Sequence, residues 1–209
     1  MDQEAIWNST QLMQISIDLS VYRNTIAYAL GNLIIITLMS SGFILFEFSL
    51  EYIFIKDSIL IFLLFWIFIT VLSVFVHVFA FRFAFRNVTL GSWYIVYPII
   101  FIVGYGLNSI LNNIISVYQL WYPLIGICNV VIGYSIEKKY FMEHKLFSRP
   151  VFILGVVFLV SYPFIWLITE YIITTQNLLY VITPGFALIL TSLSTSYSLA
   201  QAEKKVKNT

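Results

Sequence analysis

The chain has 209 residues, 60% of them apolar and only 10% charged, with a formal net charge of +1. Soluble domains carry about 25% charged and about 45–50% apolar residues, so this chain has too little polar surface to cover a water-soluble fold of its size. Composition therefore excludes a soluble globular domain, and the lack of a long basic run gives nucleic acid no footing.

Residues 1–24 do not make a span, because Asn8, Gln11, Gln14 and Asp18 interrupt them. Ile6, Met13, Ile17 and Val21 recur near helical spacing, whereas Met13, Ile15, Ile17 and Leu19 alternate. A cytoplasmic segment forming an interfacial helix is the expectation. The acidic start at Asp2 and Glu4 lacks the basic leader of a signal peptide, so the whole chain is expected to be retained.

A helix needs about 20 apolar residues to cross hydrocarbon, and continuous runs of that length favour helices over alternating barrel strands. The first span covers 26–46, ended by Glu47, Glu51, Lys56 and Asp57. The second covers 58–81 and stops at Arg82 and Arg86; the third covers 92–111. Asn112 and Asn113 make an uncharged turn into the fourth, 116–136. A charged loop, 137–150, leads to Pro150, which suits the first turn of a fifth helix reaching 169, with Glu170 at its end. The sixth covers 178–200, and 201–209 is a basic tail. The predicted fold is an all-α polytopic membrane bundle of six helices within 25–200.

Charge placement supports that number. With six spans, Arg23, Arg82, Arg86, Lys138, Lys139, Lys145, Arg149, Lys204, Lys205 and Lys207 share one side, and Lys56 stands alone on the other. Basic residues mark the cytoplasmic side, so both termini are predicted to be cytoplasmic, with the cell (plasma) membrane as the expected host. The sequons at Asn8 and Asn87 fall on that side and are predicted to be unglycosylated.

Tyr-Pro recurs at Tyr97-Pro98, Tyr122-Pro123 and Tyr162-Pro163, each within a span, and Pro184-Gly185 interrupts the sixth. Proline inside a helix removes a backbone hydrogen bond. Ala27 and Gly31, four apart, offer a small-residue packing face.

Polar groups at membrane depth are costly and mark candidate sites. Asn32, His77 and Asn129 fall in the cytoplasmic third of their spans, and Ser194 and Thr195 reach that depth on the sixth. These five are the candidate substrate-binding residues of a polar cavity. Arg82 and Arg86, four apart, form its rim or hold a lipid phosphate, although arginines at helix ends commonly snorkel. Glu170 is a candidate outer-side carboxylate. Thr191, Ser194 and Ser198 make a hydroxyl stripe.

His77 has no intramembrane histidine partner for a haem, and Cys128 is the single cysteine, so no cofactor or metal is expected. Catalytic signatures such as HExxH, GxSxG or a phosphate loop are absent. Beyond the bilayer, the candidate partners are a small solute and a partner membrane protein or second copy. In size and topology alone, the chain resembles the substrate-capturing membrane subunits of vitamin transporters. A small-solute transporter or solute-binding subunit leads, ahead of a sensor or partner-binding scaffold and then a lipid-modifying enzyme.

Overall fold

The computed structural model describes residues 3–53, 93–111, 114–115, 117–171 and 176–207, with isolated positions 68, 71 and 75. Side chains at 3–10, 43, 45–53, 93–94, 117–118, 170–171 and 176–181 lie outside that description. Apart from those three positions, the second predicted span falls outside it, as do Asn112 and Asn113.

Every regular element among the described residues is helical. Helix α1 covers Gln3–Ile53, α2 covers Trp93–Ile110, and α3 covers Val117–Ile132. A π-helical turn, Gly133–Glu137, joins α3 to the short α4, Lys138–Met142. Helix α5 covers Pro150–Tyr171 and α6 covers Gln176–Lys207. Pro150 begins α5, where its missing N–H costs no intrahelical bond.

Among the described residues, three helices are long and apolar enough to cross a membrane: Gln11–Gly42, Gln119–Met142 and Pro150–Thr169. Ile95–Ile110, the part of α2 whose side chains are described, is apolar too. Helix α6 carries the sixth predicted span, whose first residues, 178–181, are among those with side chains outside the description. Seven hydroxyl residues lie between Thr191 and Ser198, interrupted by Leu193 alone. The bundle's exterior is apolar, as Ile102 and Ile110 at 74% and 76% exposure illustrate. That inverts the pattern of a soluble protein and fits a hydrocarbon surround.

Helix α1 is continuous from the N-terminal segment into the first span, 51 residues in all. At 1.5 Å per residue it is roughly 75 Å long, far more than a bilayer's hydrocarbon thickness. Val21, Thr25, Tyr28, Asn32, Ile36 and Met39 are buried at intervals of three and four, which defines its inward face. On α6 the same spacing buries Thr183, Ala187, Thr191, Ser194, Ser198 and Ala202. The two faces meet antiparallel: Ile36 shares a cluster with Ala187, and the Thr195 hydroxyl approaches the Ala29 carbonyl at 3.4 Å.

Helices α3 and α5 form the second close pair. A Cβ on Gly155 would lie 2.6 Å from the Val130 nitrogen, and one on Gly133 would lie 2.7 Å from the Phe152 Cα. Backbones approach this closely only where side chains are missing. Tyr122 stacks on Phe158 across the same pair, with ring centroids 4.4 Å apart, within a core containing Trp121, Ile125 and Leu154.

The chain's basic end is tightly built. Ala27 and Tyr28 of α1 pack with Ile132, Leu146 and Val151. Loop 143–149 is clasped from both sides: Phe147 donates its N–H to the Thr25 hydroxyl at 2.9 Å, and Lys205 Nζ donates to the Phe147 carbonyl at 2.9 Å.

Candidate functional site

Asn32 lies on the buried face of α1, one turn beyond the point where Thr195 meets Ala29. That register brings it level with the Thr191–Ser194 turn of α6. Asn32 is 2% exposed, and neither its carboxamide oxygen nor its nitrogen has a partner among the described residues. The Ser194 and Ser198 hydroxyls are likewise buried without a described partner. Thr191 differs, since its hydroxyl donates to the Ala187 carbonyl of its own helix at 2.6 Å. All three residues of the hydroxyl stripe thus face inward, and two keep their hydroxyls free of other described groups.

Asn129 sits on a different contact. Its Oδ1 accepts the Tyr97 hydroxyl of α2 at 2.7 Å, while Nδ2 has no partner among the described residues. Its backbone is pressed against Gly155 of α5. Asn32, Ser194 and Thr195 therefore share the α1–α6 seam, and Asn129 belongs to the α2–α3–α5 junction. No hydrogen bond between described residues joins the two groups. His77, Arg82 and Arg86 lie outside the described residues, as does the Glu170 side chain.

The seam offers neutral chemistry. A carboxamide both donates and accepts, and so does each hydroxyl. No ionisable carboxylate, amine or imidazole lies among the buried residues of the two seam faces within the spans. No group of three His, Cys, Asp or Glu able to hold a metal occurs among the described residues.

Sequence reasoning missed the role of Glu137. The Glu137 carboxylate is fully buried and accepts the N–H groups of Val151 and Phe152, both at 2.9 Å. It thereby caps the first turn of α5, where free N–H groups favour an anion. Arg149 donates through Nη2 to the Gly133 carbonyl at 2.7 Å. A glutamate at the edge of a charged loop reads from sequence as solvated, and only the fold turns it inward. At the opposite end, Asn108 closes the α2–α3 turn, donating to the Ile115 carbonyl at 2.8 Å and accepting its N–H at 3.1 Å. Gln119 donates to the Thr169 hydroxyl at 2.8 Å. In the exposed loop, a hydrogen bond from Lys145 holds the Glu143 carboxyl below its ordinary pKa.

No protein-family model matches the chain, and no curated protein or solved structure matches it either.

Proposed function

We propose that this is a six-span protein of the cell membrane, with cytoplasmic termini, that binds a small neutral polar solute in the α1–α6 seam and transports it or captures it for transport. The observation that carries this reading is the Asn32 carboxamide, buried with both polar atoms unpartnered among the described residues. Leaving such a group unsatisfied costs about 1–3 kcal/mol. A hydrogen-bonding guest held between Asn32, Ser194 and Ser198 would offset that cost. Pro184, one turn from Ala187 on the same helix, weakens the backbone ladder where a moving element would flex.

The topology rests on direction. Helix α1 enters the bundle, and α2 starts, at the basic end, where Tyr28 and Val96 pack in one cluster. Two helices running the same way require a return between them, and the apolar run 58–81 supplies one in the sequence. With α3, α5 and α6 alternating, the total is six. Lysine and arginine at that end support a cytoplasmic location.

The test is a thermal-shift screen of the purified protein in mild detergent against neutral polar solutes. A ligand at a hundredfold its Kd stabilises by about 2.7 kcal/mol, which is several degrees for a chain of this size. Wild type should shift with at least one solute, and Asn32→Leu should not. Equal shifts in both proteins would remove the seam from consideration.

A partner-binding role has one observation in its favour. Helix α1 begins at Gln3, and Leu12, Met13, Ile15, Ile17 and Leu19 along it are all exposed. Deleting residues 2–16 should release a co-purified protein if that reading holds, and should leave solute shifts unchanged.

A further inference from the structure

The outward face of α6 carries a pattern that solute binding does not use. Phe186, Ile189, Leu193 and Tyr197 follow at intervals of three and four, and all are exposed, Leu193 at 62%. They form one apolar ridge directed away from the bundle. Ala200, Lys204 and Lys207 continue the same spacing and are exposed too. Within two turns, one helix face passes from hydrocarbon-seeking to cationic.

Depth gives the change a meaning. The sixth span ends near residue 200 by its sequence, so Lys204 stands roughly 6 Å further along the axis, at headgroup level. A cavity of about 300 Å³ opens there, lined by Ala200, Glu203, Lys204 and Lys207. Lys205 is turned the other way and spends its ammonium on the Phe147 carbonyl. The basic run therefore divides into one lysine that clamps the loop and two that face the cavity. Lys207 pairs with Glu203 at 2.7 Å, but both side chains are exposed, and such pairs are weak enough for another anion to compete.

We infer that this cavity binds the phosphate of an anionic glycerophospholipid between Lys204 and Lys207, with an acyl chain lying along the Leu193–Ile189 ridge. Two ammonium groups against one carboxylate favour a net anionic headgroup and repel a choline. The ridge runs without a break from the cavity into the hydrocarbon, which selects a lipid over free phosphate. Basic pockets beside membrane helices on the cytoplasmic side suit such headgroups.

The full chain in mild detergent, titrated with phosphatidylglycerol or phosphatidylcholine and read by native mass spectrometry, tests this. Wild type should retain phosphatidylglycerol preferentially. K204Q/K207Q should lose about fivefold in retention per lysine, and K205Q should keep the preference. E203Q leaves every lysine in place and should retain more phosphatidylglycerol than wild type, so it decides the matter even where the double variant folds poorly. Unchanged lipid preference in K204Q/K207Q, or no gain in E203Q, would overturn the proposal. So would displacement of the lipid by glycerol 3-phosphate at equal concentration, since the ridge would then contribute nothing.

Discussion

The Tyr97 hydroxyl on α2 donates to Asn129 Oδ1 on α3 across 2.7 Å, inside the bundle. It holds one end of a carboxamide whose other end has no described partner. Tyr97→Phe should strand the Asn129 oxygen and lower stability by about 1 kcal/mol. In a double-mutant cycle with Asn129→Ala, thermal unfolding in detergent should give a coupling of roughly 0.5–1.5 kcal/mol. Strictly additive losses would mean the bond contributes nothing.

The glycines should divide by what faces them. A Cβ at Gly155 meets backbone at 2.6 Å, whereas one at Gly106 meets nothing within 4 Å. Backbone cannot rotate away, so Gly155→Ala should push α5 off α3 at a cost of about 1–3 kcal/mol. Gly106→Ala should be neutral or stabilise by up to about 1 kcal/mol through helix propensity. Melting midpoints of the two variants, measured side by side, should move in opposite directions or only the first should fall.

Hydropathy and charge made the helices legible, and rotation about their axes was not. The third, fourth and fifth spans of the sequence lie within a residue or two of α2, of α3 with its π turn, and of α5, because hydrocarbon demands an uninterrupted apolar length. The hydroxyl stripe Thr191, Ser194 and Ser198 could be seen as a stripe, but only packing against α1 turned it inward. The span numbering assigns Asn32 and Asn129 to one depth, yet they stand on different helix contacts, and depth carries no information about neighbours. The small-residue pair Ala27 and Gly31 is visible in the sequence because the spacing is four. Gly126 and Gly133 face α5 at a spacing of seven, with Gly155 opposite, and that arrangement needs both helices to be recognised.

Glu137 gives the largest predicted loss of stability. Its carboxylate accepts two backbone N–H groups at the start of α5, near the Arg149 guanidinium. Glu137→Ala removes the cap and leaves the Val151 and Phe152 N–H groups without an acceptor, at a cost of about 3 kcal/mol. Glu137→Gln keeps one acceptor and turns an amide donor toward the second N–H, so it should cost less than the alanine. Amide exchange at Val151 and Phe152 should quicken in both variants. Protection equal to wild type would show that the cap is redundant.

His144 has φ of 55°, the left-handed region. The Lys145 N–H returns to the Tyr140 carbonyl at 2.9 Å and the His144 N–H to the Phe141 carbonyl at 3.1 Å, which closes α4 in a Schellman turn. Glycine occupies that position without the Cβ penalty of about 1 kcal/mol. His144→Gly should therefore raise the melting midpoint, an unusual direction for a glycine substitution. A fall would show that the imidazole makes a contact stronger than the backbone penalty.

Sidedness yields the prediction on which the membrane reading depends. Thr25, Phe147 and Lys205 are joined by hydrogen bonds, so loop 143–149 and the end of α6 occupy one end of the bundle. Ile114, exposed in the α2–α3 turn, stands at the other end of α3 from Lys139. Cys128 is buried and leaves a quiet background for thiol labelling. A membrane-impermeant maleimide applied to intact cells should label Ile114→Cys, and should reach Lys139→Cys and Lys204→Cys only after permeabilisation. Labelling of Ile114→Cys and Lys139→Cys from the same side would mean that α3 does not cross, and six spans with the basic end in the cytoplasm would fail with it.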